Sequence, residues 1–571
     1  MELNANQLTI LKSRYLRRNE QGDIIETPEE MFWRVAKTVA AAEANFGADS
    51  CQVAAWADKF YDMMRSLEFL PNSPTLMNCG RKLGQLAACF VLPVEDSVEQ
   101  IFDALKYTAI IHRSGGGTGF DFSLLRPKGT QVGDGFGKAA GPVSFMRIFN
   151  AATEEIKQSG VRRGANMGIL RVDHPDIYEF IACKKEEGEL RNFNISVAVT
   201  DQFIDAVQSG SDWPLSFKGE VYKVTDAREL FASIVHHAHK RGDPGILFID
   251  AINRANPTPA LGFIRATNPC GEQPLLDYES CTLGSINLLN MVSNGAVDWR
   301  RLKTAVESAV RFLDNVIEIN RFPLSQIAEA TLLTRKIGLG VMGWADMLFR
   351  LGIPYDSEAA LQLAEELMAF ISETARQTSI DLARERGTFP AWRQSIYYPR
   401  TLLRNATLTT IAPTGSISAI AGTSSGIEPV YGLAYFRVIL DQNELWTADK
   451  PFLDYLHNNL SREVREKVLK TICQKGSIQG LNEIDAKARS IFKTALEIDP
   501  QWHLRMQAAF QKHTDNAVSK TVNLPNNTTA EQVARIFEQA HELGLKGITV
   551  YRSGSRSRQP LNLPVDCRIC R

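Results

Sequence analysis

The stretch Ala266–Ser285, ATNPCGEQPLLDYESCTLGS, decides how this chain is interpreted. Asn268, Cys270 and Glu272 alternate along it, so in an extended segment an amide, a thiol and a carboxylate would leave the backbone on the same side. A second thiol, Cys281, follows in the same stretch. The pattern fits a reactive thiol site, and it equally fits a buried loop, since free cysteine is among the most buried residue types. Taken alone, the stretch leaves both interpretations open.

Composition excludes several classes of protein. The chain has 571 residues, 44% of them hydrophobic and 23% charged, and a net charge of −1. This balance argues against a broad surface for nucleic acid or for membranes. We find no apolar run of membrane-spanning length, and the polar N-terminus lacks the apolar core of a secretory signal. Nine cysteines are too sparse for a disulfide scaffold. We therefore expect a cytoplasmic protein with no nucleic-acid or membrane partner.

Short apolar strands alternate with helices over most of the chain. This order is typical of a parallel sheet that is covered on both faces. A capped helix from Thr27 to about Phe46 and a second one over Ala54–Leu67 precede it. The strands we predict are Ile195–Thr200, Ile246–Asp250, Leu408–Ala412 and Gly547–Tyr551. We predict three units: an N-terminal helical segment (1–69), one α/β catalytic domain (70–552) and a flexible polar tail (553–571).

Two loops carry residues suited to anions, and a third resembles a phosphate loop only superficially. Pro413-Thr-Gly-Ser follows a predicted strand, and its backbone N–H groups and hydroxyls would suit an anion, although an ordinary helix cap fits as well. Asn72-Ser-Pro-Thr is similar in character. Gly115-Gly-Gly-Thr-Gly follows a helix and lacks the GK[ST] ending of a phosphate loop. For this last segment we predict a close backbone crossing.

The tail ends in Cys567-Arg-Ile-Cys570. Such a pair can be half of a zinc site, but no second pair of ligands lies near it in the sequence. A dithiol on a tether suits thiol–disulfide exchange at a distant site. We predict exchange and no protein-bound metal.

The motifs together resemble the catalytic subunit of ribonucleotide reductases. The matching segments occur in the order of that family and extend over most of the chain. They are Gly84–Pro93, Asn268-Pro-Cys-Gly-Glu, Ser280–Asn287, Gly338–Gly343, Pro413–Ser416 and Ser519–Pro525. The resemblance implies a ten-stranded α/β barrel of two five-stranded parallel halves, with a central finger loop, an N-terminal helical segment and a flexible C-terminal tail.

The resemblance also implies roles for the finger-loop residues. Cys270 would carry a transient thiyl radical and abstract the 3′ hydrogen of the ribose. A thiol suits this step because its S–H bond is comparable in strength to the sugar C–H bond. Glu272 would accept the 3′-hydroxyl proton as general base. Asn268 would hold the sugar hydroxyls by hydrogen bonds.

Four more cysteines receive redox roles by the same resemblance. Cys89 and Cys281 would supply the proton and electrons that expel the 2′-hydroxyl as water, and would end as a disulfide. Cys567 and Cys570 would then reduce that disulfide, and a thioredoxin-like partner would restore the tail.

Binding residues are assigned by position in the resemblance. The substrate, a ribonucleotide, would be held by Ser73, Thr75, Ala88, Gly116, Thr414, Gly415 and Ser416. A dNTP or ATP effector would lie at the interface of a homodimer, beside the loops Arg126–Gly141 and Ser159–Met167. Its contacts would be Asp96, Ser97, Arg126, Arg162 and Arg163; the two adjacent arginines fit a solvated turn equally well.

The radical source is inferred from one position. Oxygen-dependent reductases with a separate radical subunit show two adjacent tyrosines near the end of the barrel, and here Val550 stands in the place of the first. We therefore expect adenosylcobalamin as cofactor. Most members of the family with the two effector loops act on diphosphates, so the resemblance also implies diphosphate substrates. Three alternatives remain: a large subunit that borrows its radical, a triphosphate-specific cobalamin enzyme, and a regulator that binds nucleotides without turnover.

Overall fold

The structure is a computed structural model that describes residues 3–133, 137–156, 164–439 and 443–555. Within these ranges no helix is long and apolar enough to cross a membrane. The α-helices are α1 (Ala5–Arg14), α2 (Pro28–Ala40), α3 (Ser50–Arg65), α4 (Ser73–Asn78), α5 (Val98–Arg113), α6 (Pro142–Glu155), α7 (Ile177–Ala182), α8 (Asp201–Ser209), α9 (Ala227–Arg241), α10 (Ile249–Arg254), α11 (Trp299–Ile319), α12 (Ser325–Thr334), α13 (Trp344–Leu351), α14 (Glu358–Arg386), α15 (Gly415–Ala421), α16 (Lys450–Asn459), α17 (Arg462–Lys475), α18 (Ala486–Ile491), α19 (Pro500–Gln511) and α20 (Ala530–Glu542).

Strands and short 3₁₀ turns lie between these helices. The strands are β1 (Phe69–Pro71), β2 (Cys89–Val91), β3 (Gly117–Asp121), β4 (Gln131–Val132), β5 (Gly137–Lys138), β6 (Asn166–Arg171), β7 (Phe193–Val199), β8 (Asp212–Phe217), β9 (Glu220–Asp226), β10 (Gly245–Phe248), β11 (Ala266–Thr267), β12 (Pro274–Leu275), β13 (Ser280–Asn287), β14 (Val292–Ser293), β15 (Ala296–Val297), β16 (Ile337–Met342), β17 (Ala434–Ile439), β18 (Asn443–Ala448), β19 (Thr521–Leu524) and β20 (Gly547–Arg552).

The N-terminal helices begin where their caps predict. Thr27 and Glu30 form a capping box at the start of α2. The predicted continuation to Phe46 is a separate 3₁₀ turn, Ala41–Phe46, which follows α2 directly. α3 begins at Ser50, earlier than predicted, because the Asp49 side chain accepts a hydrogen bond from the third helical residue. The predicted boundary at residue 69/70 stays a prediction.

The first half of the barrel is a parallel sheet in the order β2, β3, β6, β7, β10. Side chains alternate across it: Val197 packs outward with the helices, whereas Ala198 belongs to the apolar cluster inside the barrel. Because both faces are covered, the strands consist largely of apolar residues, as the sequence pattern predicts.

The second half contains β13, β16, segment 407–411, β19 and β20. Pairing is parallel between β13 and β16 and between β19 and β20. Antiparallel pairs join the two halves, β2 with β13 and β10 with β20, and so close the barrel. This arrangement confirms the predicted fold class, a ten-stranded α/β barrel of two five-stranded parallel halves.

One barrel position is less regular than predicted. Leu408–Ala412 is predicted as a strand, but the segment bridges each neighbour at a single residue pair, Leu339 with Thr409 and Ile411 with Val518. A Cβ on Gly340 would lie 2.2 Å from the Thr410 carbonyl oxygen, so the two backbones approach closely. The Thr410 hydroxyl also donates to the Glu272 carbonyl, 2.9 Å away, and this contact ties the segment to the barrel interior.

Strands β11 and β12 form a hairpin, the finger, that contacts both halves from inside the barrel. A Cβ on Gly119 of β3 would lie 1.8 Å from the Thr267 carbonyl oxygen. On the opposite side, a Cβ on Gly338 of β16 would lie 2.7 Å from the Gln273 side chain. The structure therefore confirms the central finger loop, and it shows the close backbone crossing predicted for the glycines at 115–119.

Replacing Gly119 with alanine should displace the finger. The added Cβ would overlap a backbone oxygen, which cannot swing away as a side chain can, so we expect the free energy of unfolding to fall by about 3 kcal/mol. Thermal and denaturant unfolding would measure the loss. Gly137→Ala is the matched control, because its nearest neighbour would lie at an ordinary 3.8 Å. Equal stability of the two variants would contradict the crossing.

Candidate active site

The finger turns at its tip instead of running extended. The Gly271 N–H donates to the Asn268 carbonyl at 3.0 Å, and Gly271 has φ +82°, a left-handed conformation that favours glycine. Asn268 and Glu272 are therefore buried on the two flanks of the turn, and Cys270 is exposed at the tip. The expectation that alternation in an extended segment aligns the three side chains was wrong, since hairpin geometry brings them together.

Asn268 is held by hydrogen bonds on both ends of its amide. The Asn268 Oδ1 accepts from the Gln273 backbone N–H at 3.0 Å, and Nδ2 donates to Cys89 Sγ at 3.1 Å. The first bond fixes the orientation of the second. The amide thus links the finger to the thiol on β2.

Cys89 and Cys281 face each other as register partners on antiparallel strands. Directly opposed residues in such a pair have Cα atoms about 4.5–5.5 Å apart, and disulfides span about 4.4–6.8 Å. Both are free thiols here. Burial raises the pKa of Cys89 well above its usual range, and the nearby Glu272, Cys281 and Cys270 add to the rise. All three thiols and the carboxyl group therefore lie in one cluster.

Glu272 is a buried carboxyl group with an unpaired oxygen. Only 3% of the residue is exposed, and its Oε2 has no hydrogen-bond partner among the described residues. Burial raises the pKa of Glu272 from 4.5 to about 7, and the Asn268 amide offsets part of that rise. A carboxyl group with this pKa exchanges its proton near neutral pH, as a general base requires.

Cys270 opens into a large cavity at the mouth of the barrel. The cavity has a volume of 1420 Å³ and is lined from both halves, by Asn194 and Leu247 on one side and by Ser519 and Thr549 on the other. Ordinary small-molecule pockets have about 300–1,000 Å³. The cavity is therefore larger than an ordinary small-molecule pocket, and Cys270 is part of its lining.

The predicted substrate residues differ in the hydrogen bonds and backbone contacts that they already make within the protein. The Ser73 hydroxyl lies 2.9 Å from the Tyr15 hydroxyl. Thr75 is fully buried and donates its hydroxyl proton to the Leu86 carbonyl at 3.0 Å, so this hydroxyl already makes a structural hydrogen bond. Ala88 contributes backbone groups, with its carbonyl accepting from Gly117. At Gly116 a Cβ would meet the Phe90 ring at 2.5 Å.

The second hydroxyl loop begins helix α15. Thr414 is left-handed, with φ 55°, and its hydroxyl accepts from the Gly426 N–H at 2.8 Å. Gly415 is exposed and Ser416 half-buried at the start of the helix. α15 packs against β1, which leads into Ser73, so the structure brings the two predicted hydroxyl loops to the same side of the barrel.

The predicted effector residues are partly described. Arg126 Nε lies 3.0 Å from both carboxylate oxygens of Asp96, and Ser97 caps α5. Lys218 Nζ, which the sequence pattern did not single out, lies 3.5 Å from the same carboxylate. Arg162 and Arg163, and likewise Cys567 and Cys570 of the tail, lie outside the described residues.

Comparisons with known proteins show which family this chain resembles along its whole length. The family description "Ribonucleotide reductase, barrel domain" matches residues 87–402 and 399–551, and "Ribonucleotide reductase, all-alpha domain" matches residues 1–84. The chain belongs to the ribonucleotide reductase family. The reductase is 46% identical to a vitamin B12-dependent ribonucleoside-diphosphate reductase of Thermoplasma acidophilum, over 98% of this chain and 80% of that protein.

Two further relatives extend the comparison. A vitamin B12-dependent ribonucleoside-diphosphate reductase of Mycobacterium tuberculosis is 49% identical over 98% of this chain and 81% of its own length. The solved alpha subunit of the class Id ribonucleotide reductase of Actinobacillus ureae superposes with a TM-score of 0.79 at 25% identity, over 97% of each chain.

Glu272→Gln should stabilise the folded reductase at alkaline pH. The folded state keeps the Glu272 proton up to about pH 7, whereas the unfolded chain releases it near pH 4.5. The stability that this group contributes is therefore complete below pH 4.5 and lost as the pH rises to about 7, a difference of about 3 kcal/mol. Denaturant unfolding at pH 5 and pH 8 would measure it. The Glu272→Gln variant should gain stability over the parent protein mainly at pH 8. The exposed control Glu373→Gln should leave the stability unchanged at both pH values. An equal gain for Glu272→Gln at pH 5 and pH 8 would contradict the raised pKa of Glu272.

Proposed function

We propose that this chain is a vitamin B12-dependent ribonucleoside-diphosphate reductase, which converts ribonucleoside diphosphates to 2′-deoxyribonucleoside diphosphates. The observation that carries the proposal is the cluster of one exposed thiol, a facing pair of buried thiols and a carboxyl group with a pKa near 7. The named relatives, similar over nearly the whole chain, favour the same reaction.

Each residue of the finger has a distinct task in this reaction. Cys270, exposed at the tip, abstracts the ribose 3′ hydrogen as a thiyl radical and returns a hydrogen at the end of the cycle. Glu272 accepts the 3′-hydroxyl proton, and its unpaired Oε2 leaves room for that hydrogen bond. The Asn268 amide, fixed by Gln273, orients the sugar hydroxyls and Cys89.

The facing thiols supply the reducing electrons. One thiol proton leaves with the 2′-hydroxyl as water, and the two sulfur atoms of Cys89 and Cys281 end bonded to each other. Burial keeps both thiols protonated until they are used, because it raises the pKa of each well above its usual range. In our proposal the tail thiols Cys567 and Cys570 then reduce the disulfide, and a cytoplasmic thioredoxin-like protein reduces the tail.

The cavity fits a large cofactor beside a nucleotide. Adenosylcobalamin supplies radical chemistry when it is bound. This cofactor is larger than the ligands of ordinary pockets, and a cavity of 1420 Å³ that has Cys270 in its lining favours a ligand of that size. The residues that would hold it include Asn523, Thr549 and Tyr551 from the second half of the barrel and Tyr431 from the loop before β17.

A separate radical subunit is the second candidate. Val550 argues against it, because this residue is buried on β20 and cannot carry an electron as tyrosine does. A binding-only regulator is disfavoured by the thiol cluster, since nucleotide binding needs no such arrangement.

A turnover assay tests the function and the roles together. Adenosylcobalamin, a ribonucleoside diphosphate and a small dithiol should yield the deoxynucleotide without iron or oxygen. Cys270→Ser should abolish turnover and leave nucleotide binding nearly unchanged, whereas Cys51→Ser, an exposed cysteine on α3, is the matched control and should retain activity. Activity on triphosphates alone, or only after adding a radical-generating metalloprotein, would contradict the proposal.

We also propose a homodimer with a dNTP or ATP effector between subunits. Val98 and Phe102 on α5 are 61% and 49% exposed, and Ile148 on the neighbouring α6 is 40% exposed. Val98 directly follows the predicted effector contacts Asp96 and Ser97, and α6 contacts α5, which fits a shared interface.

Phe102→Glu should convert the dimer to monomers. A charge in an apolar interface is costly, so we expect a halved mass in light scattering and loss of the response to dNTPs, with unstimulated turnover retained. Ile396→Glu is the control, because Ile396 is 59% exposed elsewhere on the surface. An unchanged mass for Phe102→Glu would place the interface elsewhere.

A further inference from the structure

Strand β7 carries one polar side chain that the packing of the sheet does not require. Asn194 lies on the same face of the strand as Ala198, which belongs to the apolar cluster inside the barrel. Every other residue of β7 is buried, whereas Asn194 is exposed and lines the same cavity as Cys270. Asparagine is depleted in strands. Its presence here therefore calls for a reason in the cavity.

The Asn194 amide holds the tip of the finger. Its Nδ2 donates a hydrogen bond to the Pro269 carbonyl oxygen at 2.7 Å. That carbonyl belongs to the peptide bond whose nitrogen is the backbone nitrogen of Cys270. Asn194 therefore contacts the peptide unit that carries the thiol, with no other residue in between.

The ring of Pro269 is restrained by a second strand. A Cβ on Gly117 of β3 would lie 2.9 Å from the Pro269 Cγ, so a side chain at this position would crowd the ring. Strand β6 lies between β3 and β7 in the sheet. The ring and the carbonyl of Pro269 are thus held by the strands on either side of β6.

The other side of the finger tip has no comparable packing. A Cβ on Gly271 would have no neighbour within 4 Å among the described residues, and Gly271 has φ +82°. Glycine adopts many backbone conformations at little cost. The hydrogen bond between Gly271 and Asn268 closes the turn, but it lies within the hairpin and does not fix the turn against the barrel. Contacts through Pro269 provide that restraint.

The direction of the Cys270 thiol matters for the reaction. A misplacement of reacting groups by about 1 Å can cost on the order of a hundredfold in rate. We propose that Asn194 is a positioning residue: through the Pro269 carbonyl it fixes the direction in which the Cys270 thiol faces the cavity. This inference rests on the proposed function, in which that thiol abstracts a hydrogen from the ribose.

Asn194→Asp removes the hydrogen-bond donor and keeps the size of the side chain. At pH 8 the carboxylate repels the Pro269 carbonyl, so we expect turnover to fall about thirtyfold while the Kd for a ribonucleoside diphosphate stays within about twofold of the parent value. One neutral hydrogen bond contributes modestly to folding, so the variant should fold. Asn459→Asp is the matched control, because Asn459 Nδ2 donates to the Tyr455 carbonyl at 2.8 Å on the surface of α16. It should leave turnover and Kd unchanged.

The introduced carboxyl group gives a second readout. When it is protonated it can donate to the Pro269 carbonyl again, so the turnover of Asn194→Asp relative to the parent should rise about threefold or more from pH 8 to pH 5. Division by the parent removes the titration of Glu272, which both proteins share. Asn194→Ala has no donor at any pH, and its relative turnover should stay level. A level ratio for Asn194→Asp as well would overturn the role of the donor.

The restraint on the finger tip can be measured without cofactor or substrate. Hydrogen–deuterium exchange in peptides that cover residues 266–275 should be about tenfold faster in Asn194→Asp and Asn194→Ala than in the parent, because a mobile tip opens the hydrogen bond from Gly271 to Asn268. Asn459→Asp should exchange as the parent does. Unchanged exchange in the finger together with lost turnover would mean that Asn194 contacts the ligand directly, and would overturn the positioning role.

Failure of the inference differs from failure of the proposed function. If the parent protein makes no deoxynucleotide, the proposed function fails, and the exchange rates still decide whether Asn194 holds the tip. If the parent turns over and Asn194→Asp matches it at pH 8, the function stands and the inference is overturned. If Asn194→Asp does not fold, the turnover, Kd and exchange of Asn194→Ala decide in the same way.

Discussion

The close crossing of Thr267 over Gly119 is the constraint on which the rest of the molecule depends. A barrel of ten strands has room at its centre, and here a hairpin occupies that room. The hairpin fits only where strands lack side chains, at Gly119 on one half and Gly338 on the other. These contacts fix the position of the finger tip inside the barrel. Cys270 therefore lines the cavity, and the Asn268 side chain contacts Cys89.

The position of the finger also sets the chemistry of its side chains. The flanks of the turn are enclosed by the barrel, which removes water from Glu272 and raises its pKa to about 7. The tip remains open, so Cys270 can meet a ligand. A single hairpin therefore supplies an accessible thiol and a desolvated carboxyl group within a few residues.

A buried charge network supports the frame around this hairpin. Asp314 on α11 is fully buried and contacts Arg335 at 2.8 Å, Arg386 at 3.0 Å and Arg404 at 3.3 Å. Arg386 also bonds Glu43 of the N-terminal segment at 2.7 Å. Loss of one member would leave buried charges unpaired, which costs more than loss of a surface pair. Through Arg335, the residue before Lys336, the network also orders the start of β16.

From the sequence, the order of strands and helices predicted an α/β fold, and the resemblance to a family implied the ten-stranded barrel and the roles of the cysteines. Apolar strands such as β7 and β10 alternate with capped helices, and this pattern is local and therefore visible. The motifs around Cys89, Cys270 and Cys281 indicated the family in the same way. Tertiary structure alone decided that segment 407–411 completes the barrel with single bridges, that the finger turns at Gly271, and that Asn194 contacts the Pro269 carbonyl. These features arise because strands distant in the chain pair in register, and pairing of this kind leaves no local pattern in the sequence.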